Sequence, residues 1–356
     1  MDTSQNILVK DILAEAIKQN ASDIHFSVGN YPVLRVGRDL RYLEDRALIN
    51  QEFMDKLVDF LLTKEQKDKL IQEKEIIFSY NFDKSLRFKV NVFYQRSFLS
   101  ATLRYIPAKV LTLKELGLAE ILEKFTKLDN GLVIIAGNFG SGRSSTAAAM
   151  IEEINQTKKK YILTIEDPIE CIFANNLSVI EQREVGRDTN SFVDALKYVQ
   201  EENGDVVYLE QMNQPESIPL VLEIASGNAL VLAGVTADSA TNAISAILNN
   251  FTSFDQERIR NSLANSLRAV VCQKLIPRVG GGVKAVCEIL LNNESVKSII
   301  SHGSIEQLEN IIQTSRKEGM VSFAQALSEA VKQREVSAED ALAHAPNPKA
   351  LENLIS

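Results

Sequence analysis

Gly137-Asn138-Phe139-Gly140-Ser141-Gly142-Arg143-Ser144 is the stretch that decides the fold. A continuous apolar run, Leu132 to Ala136, leads into it, and a helical pattern from Ser144 to Asn155 leads out. Strand, glycine-rich turn and helix in that order form the context of a phosphate loop, Gly-x4-Gly-Lys-[Ser/Thr]. Its glycines let backbone N–H groups close around phosphate oxygens, and the helix N-terminus adds partial positive charge. Gly137, Asn138, Phe139, Gly140, Ser141, Gly142, Arg143, Ser144 and Ser145 are therefore the candidate phosphate-binding residues, with Ser144 the candidate Mg²⁺ ligand. Arg143 stands where the motif has lysine. Lysine is a compact point charge, whereas arginine is a wider planar fork that prefers bidentate contacts. The exchange keeps anion affinity and disturbs phosphate geometry. Taken alone, the altered loop also admits a second reading, a glycine-rich turn that binds nothing.

Working outward, Tyr161 to Ile165, Val206 to Leu209 and Leu230 to Val235 are further short apolar runs separated by helical stretches. This alternation predicts a doubly wound α/β domain with a mainly parallel sheet. Val270 to Ile276 and Val283 to Leu290 flank Gly280-Gly281-Gly282 and read as a hairpin. Helical segments follow from about 294: Ile305 to Thr314, Ser322 to Lys332, Ser337 to His344 and Pro348 to Ile355. Before the loop the pattern differs. A helix over Val9 to Lys18 precedes short runs at Asp23 to Phe26 and Val33 to Val36, and two helical patterns cover Gln51 to Leu62 and Thr63 to Leu70. Glu75 to Tyr80, Leu86 to Tyr94 and Phe98 to Tyr105 then alternate like antiparallel strands, with turns at Asn81 to Ser85 and Arg96-Ser97. The expected division is a small α+β domain over 1–107, a linker over 108–118, and the P-loop domain with its helical C-terminal region over 119–356.

The formal net charge of −8, from 39 basic and 47 acidic residues, argues against a nucleic-acid binder. No apolar stretch reaches the ~20 residues of a membrane helix, and the first twenty residues lack a signal-peptide core. Direct membrane insertion is not expected. Cys171, Cys272 and Cys287 share no metal-ligand spacing and read as small core residues of a cytoplasmic protein.

Other stretches carry a resemblance. Ala21-Ser22-Asp23-Ile24-His25, Arg104-Tyr105-Ile106-Pro107, Thr164-Ile165-Glu166-Asp167-Pro168-Ile169-Glu170, Gln182-Arg183-Glu184-Val185, Gln273-Lys274-Leu275-Ile276-Pro277 and Gly319-Met320 occur in order along nearly the whole chain. With these the sequence resembles the type IV pilus retraction ATPases (PilT-like), within the type II/type IV secretion ATPases. The resemblance implies a PAS-like first domain, a RecA-like second domain, ATP and Mg²⁺ as cofactors, and a ring-shaped homohexamer. It also implies a cytoplasmic place at the inner membrane, held there through a pilus platform protein. It further implies that Glu170, last residue of the acidic box, activates the attacking water, and that Arg96 and Arg104 are the candidates for arginines reaching a neighbouring subunit's nucleotide.

The sequence departs from that pattern where chemistry is done. The strand Val206 to Leu209 runs into Glu210-Gln211-Met212-Asn213, so Gln211 occupies the position of the family's glutamate, and an amide is no general base. Glu210, one residue away, points to the opposite face of an extended strand unless a bulge intervenes. It stands either as a compensating acid or as a solvated strand-end acid. Ala229 and Thr236 occupy the two positions of the family's His box. His25 suits a structural hydrogen bond, and His302 and His344 read as surface residues. Ser295 to His302 keeps the apolar spacing of the family's C-terminal retraction motif without its charged end. Three functions follow as expectations. The first is an ATP-binding, hydrolysis-poor accessory or regulatory subunit, associated with an active motor. The second is an active hexameric motor powering pilus retraction and twitching motility. The third is a scaffold with an empty loop.

Overall fold

The computed structural model describes all residues except 1, 2, 38, 83–85, 107, 108, 119 and 356, with 3–8 and 121 described by backbone alone. The expected turn at 81–85 and the expected domain end at 106–107 thus lie partly outside the described residues, as do positions 108 and 119. The chain forms two compact units, Met1–Lys109 with Glu170–Ile172, and Val110–Ile169 with Phe173–Ser356.

In the first unit, α1 (Thr3–Lys18) leads to β1 (Asp23–Ser27), β2 (Val33–Val36) and β3 (Asp39–Tyr42). Then come α2 (Gln51–Leu61), α3 (Lys64–Glu73), β4 (Glu75–Asn81), β5 (Arg87–Gln95) and β6 (Phe98–Ile106). The six strands form one antiparallel sheet in the order β3-β2-β1-β6-β5-β4. Strand β5 buries Phe88, Val90 and Val92 at alternate positions, the period of a half-buried strand. The helices begin on side-chain caps: Asn50 accepts from Phe53 N at 2.8 Å, and Thr63 and Gln66 form a reciprocal capping box. Strand β3 was not expected from the sequence. All four of its side chains are exposed, so the alternation of Asp39-Leu40-Arg41-Tyr42 serves no buried face and the run is too short to stand out.

In the second unit, α4 (Ile121–Phe125) precedes β7 (Gly131–Ala136), α5 (Arg143–Thr157), β8 (Tyr161–Glu166), β9 (Val179–Glu184), α6 (Phe192–Tyr198), β10 (Val206–Leu209), α7 (Ser217–Ser226) and β11 (Leu230–Val235). The chain continues through α8 (Ala240–Leu248), α9 (Ser253–Ser266), β12 (Leu267–Pro277), β13 (Val283–Leu291), α10 (Glu294–His302), α11 (Leu308–Thr314), α12 (Phe323–Lys332), α13 (Ala338–His344) and α14 (Pro348–Ile355). The seven-stranded sheet has the order β13-β12-β7-β11-β10-β8-β9 and is parallel except for β13, the expected hairpin partner of β12. The α/β class, the antiparallel first sheet and the helical C-terminal region accord with the sequence-based expectation. Strand β9 was not expected, because its polar run Val179-Ile180-Glu181-Gln182-Arg183-Glu184 lies at the sheet edge and buries only Ile180 and Glu184.

Residues of the central strands are buried without exception in β7, β10 and β11. Alternation divides them between two cores. Leu132, Ile134 and Ala136 join the cluster built with α6 to α9 and the C-terminal helices, while Val133 and Ile135 join the one built with α5. A sheet covered on both faces demands continuous apolar strands, and this is why these runs were legible as parallel. Buried Cys272 and Cys287 belong to these cores, and burial pushes the Cys287 thiol up to about 12.

Two features carry stability predictions. A methyl group on Gly234 of β11 would lie 1.9 Å from the Glu210 carbonyl oxygen, so backbone rather than a flexible side chain blocks it. Gly234→Ala is expected to cost about 3 kcal/mol, read as a lower urea midpoint at unchanged m-value. The buried carboxylate of Glu288 on β13 accepts from Ala240 N, at 2.8 Å, and from Phe323 N, so it joins the starts of α8 and α12. Burial raises its pKa above the ordinary 4.5, outweighing the lowering by those two N–H groups. The folded state thus holds this proton at higher pH than the unfolded chain. Glu288's contribution is fully present below its ordinary pKa and is lost as pH rises through the raised value. The stability difference between wild type and Glu288→Gln, followed by urea unfolding from pH 4 upward, is expected to shift against wild type as pH rises.

Candidate functional site

Parallel pairing aligns the carboxyl ends of neighbouring strands. Ala136 at the end of β7 is level with Val235 of β11 and Cys272 of β12, and Leu209 of β10 is level with Ala233 and with Ile165 of β8. The segments that follow β7, β8, β10 and β11 therefore gather along one edge beside the part of β12 beyond Cys272, where open α/β sheets bind ligands.

The glycine loop leaves β7 at that edge. Gly140 and Gly142 have φ of 76° and 89°, in the left-handed region that glycine adopts without a Cβ penalty. Gly142 is the N-cap of the 15-residue α5, no side chain caps this helix, and its first turn carries no acid. The first intrahelical bond runs from Thr146 N to Gly142 O at 3.0 Å. The amides at the start of the helix are thus available for an anion, as a phosphate loop requires. Phe139 projects from the loop at 86% exposure. A cleft of about 320 Å³ adjoins it, lined by Asn138 to Ser141 with Asp238, Lys274 and His344. His344, read from sequence as a surface residue, is exposed and borders this cleft.

The loop's shape is held from behind by a residue that local sequence could not identify. Gln273, buried on β12, donates from Nε2 to Ser141 O at 2.7 Å and accepts from Thr146 Oγ1 at 2.6 Å. Its carbonyl oxygen and the Ser141 side chain also crowd the position where a Cβ on Gly137 would sit. The two partners lie 132 and 127 residues away in sequence. In the sequence Gln273 is marked only as the first residue of the family-like run Gln273 to Pro277.

Arg143 begins α5 and is half-buried, and its Nη1 donates to Thr236 Oγ1 at 3.1 Å. Thr236 follows the last residue of β11 and is exposed. Two positions where the sequence departs from the resembling family thus touch each other. Ser144 and Ser145 lie in the first turn of α5. Among the described residues no group of three or more His, Cys, Asp or Glu could hold a metal ion. A Mg²⁺ here would depend on Ser144 and phosphate oxygens, a donor set this ion commonly accepts.

The acidic residues after β8 and β10 are engaged. Glu166, buried, accepts from Thr164 Oγ1 at 2.6 Å and Gln182 Nε2 at 3.2 Å. Glu184 accepts from Ile169 N at 3.1 Å, and Glu210 accepts from Asp167 N. Glu184 and Glu210 thus hold the backbone at 169 and 167. Glu210, half-buried, is therefore engaged with the backbone at Asp167. Gln211 Oε1 accepts from Asn213 Nδ2 at 3.2 Å. Glu170 belongs to the first unit, where Lys89 Nζ donates to its carboxylate at 2.9 Å. Arg104 pairs with the buried Asp23 at 2.8 Å, and Arg96 lies in the β5–β6 turn, exposed, with φ of 48°. His25 faces Thr102 Oγ1 at 3.1 Å, in line with a structural hydrogen bond, and burial lowers its pKa.

Known proteins match this arrangement along its length. The family model "Type II/IV secretion system protein" matches residues 2–343. The type IV pilus retraction ATPase PilT of Pseudomonas aeruginosa is 34% identical over 341 residues, covering 96% of this chain and 99% of that protein. The type IV pilus ATPase PilU of the same organism is 32% identical, covering 97% and 90%. The crystal structure of the pilus retraction motor PilT with bound ADP superposes with a TM-score of 0.87 at 34% identity, over 96% of this chain and 98% of that one. The chain is a member of the type II/IV secretion system protein family, in its group of PilT-like type IV pilus retraction ATPases.

Proposed function

We propose that this chain binds ATP with Mg²⁺ in the loop 137–145, hydrolyses it poorly, and serves as an accessory or regulatory subunit of a type IV pilus machine beside an active motor. The observation that carries the weakened-hydrolysis reading is the Arg143–Thr236 hydrogen bond, which draws the loop's cation toward the end of β11. Gln211, an amide engaged with Asn213, supports it, since it cannot take a proton from water. The uncapped start of α5 supports anion binding and weighs against an empty scaffold.

In this proposal the backbone of Gly137 to Ser145 holds the phosphates, Ser144 meets Mg²⁺, and Glu170 orients the attacking water. The bound nucleotide supplies the high-energy phosphate bond whose cleavage a motor couples to movement. Glu170 must first leave Lys89, a further brake on turnover. Arg96 and Arg104 are proposed to reach a neighbouring subunit's nucleotide in a homohexamer, Arg104 after releasing Asp23. Residues 1–107 are proposed as the PAS-like domain, 108–118 as the linker and 119–356 as the RecA-like domain. The assembly is proposed to lie on the cytoplasmic side of the inner membrane against a platform protein. Among the described residues no helix is long and apolar enough to cross a membrane. A second reading, an active hexameric retraction motor, is favoured by the 34% identity with PilT over nearly the full length.

Two measurements test this. Binding of a fluorescent Mg-ATP analogue and phosphate release are followed on one preparation. Binding is expected with release at or near the level of Glu170→Ala. Robust release that disappears in Glu170→Ala establishes the active motor instead, and no binding at millimolar nucleotide establishes the scaffold. Gln273→Leu removes both clamps on the loop. It is expected to weaken nucleotide binding at least about tenfold, since each lost hydrogen bond contributes roughly 1 kcal/mol and leaves a polar group unsatisfied. An unchanged affinity in a folded Gln273→Leu protein excludes the clamp as a determinant of loop shape.

A further inference from the structure

We propose that Thr236 is a positioning residue that makes Arg143 a fixed fork for the terminal phosphate, so that this site distinguishes a nucleoside triphosphate from a diphosphate. The proposal rests on the nucleotide-binding reading above.

The geometry begins with strand order. β11 lies between β7, which carries the loop, and β10, which carries Gln211 just past its end. Val235 is level with Ala136, so Thr236 emerges beside the start of the loop, on the β10 side. Arg143 rises from the first position of α5 and reaches Thr236 Oγ1 at 3.1 Å. Its guanidinium is thus drawn sideways, off the loop and over the end of β11. The amides of Gly140 to Ser144 and the start of α5 suit the phosphates nearest the loop. A cation displaced toward β10 meets the part of a phosphate chain that extends beyond them.

The chemistry of the pair agrees with that placement. A guanidinium has five N–H donors in one plane, and the bond from Nη1 to Thr236 leaves the others for an oxyanion while fixing the plane's orientation. An arginine without such an anchor loses rotamer freedom on binding, and anchoring removes part of that cost beforehand. The Thr236 hydroxyl accepts from Arg143 through a lone pair, so its part in the pair is to orient the guanidinium. Half-burial of Arg143 and exposure of Thr236 leave the pair open to a ligand.

A double-mutant cycle tests this by equilibrium binding of fluorescent ATP and ADP analogues, with Thr236→Val, Thr236→Ser, Arg143→Lys and the double variant Arg143→Lys/Thr236→Val. Thr236→Val is expected to weaken triphosphate binding about tenfold and diphosphate binding less than about twofold, the scale of one hydrogen bond to a charged group. Thr236→Ser is expected to restore wild-type selectivity. In the Arg143→Lys background the valine is expected to change triphosphate affinity less than about twofold, because lysine has no fork to orient. Equal losses for both nucleotides, or the same loss in both backgrounds, overturn the positioning role. Tighter triphosphate binding in Thr236→Val also overturns it, since Thr236 then holds Arg143 away from phosphate. If wild type binds neither nucleotide at millimolar concentration, the nucleotide-binding reading itself fails and this proposal fails with it. Binding of both without coupling sinks this proposal alone.

Discussion

The parallel pairing of β7 with β11 on one side and β12 on the other is the constraint on which the site depends. It sets Ala136, Val235 and Cys272 level, so the chain leaves β7 and β11 at one edge while β12 runs on past it to Pro277. Everything of chemical interest in the second unit follows from that alignment. The glycine loop turns at the end of β7, Thr236 stands at the end of β11, and Gln273 lies one residue beyond Cys272. A one-residue slip in any of these pairings would reverse the faces of a buried strand, a change that two covered faces make prohibitive. The hydrophobic burial that stabilises the sheet also fixes, at no separate cost, the relative positions of polar residues far apart in sequence.

The acids near this edge show a different use of charge from the one their sequence suggests. Carboxylates after an apolar strand are the ordinary signature of metal and water chemistry. Here Glu166, Glu184 and Glu210 bond instead to side chains and to the backbone of 167–169. Burying an ionised carboxylate is costly unless hydrogen bonds replace its water. Backbone N–H groups of an irregular segment need acceptors for the same reason. The two requirements satisfy each other, and an otherwise unsupported loop acquires a defined shape. Glu288 also accepts backbone N–H groups, at the starts of α8 and α12, but there burial outweighs them and favours the protonated carboxyl.

Arg143 and Thr236 are separate anomalies along the chain and one interaction in space. A lysine at the first position of α5 would act as a point charge needing no orientation. A guanidinium acts by direction, and Thr236 supplies a fixed partner. The departures therefore form a consistent local set, in which a threonine hydroxyl and a planar cation occupy the region between β7 and β10.

The sequence alone determined which segments are strands of a buried parallel sheet, because only continuous apolar runs such as Leu132 to Ala136 and Leu230 to Val235 can be covered on both faces. It determined the loop as well, because Gly140 and Gly142 are residues that accept left-handed backbone without strain. Two edge strands, β3 and β9, were beyond its reach. β3 and β9 bury few or no side chains, and pairing with a neighbour, rather than a buried face, makes them strands. The partnerships of the site were beyond it too. Nothing local to Gln273 indicates Ser141 or Thr146, and nothing local to Arg143 indicates Thr236, 93 residues away. Residue type states what a side chain can do. Which partner it meets is decided by strand order and register, and those are properties of the whole packed sheet.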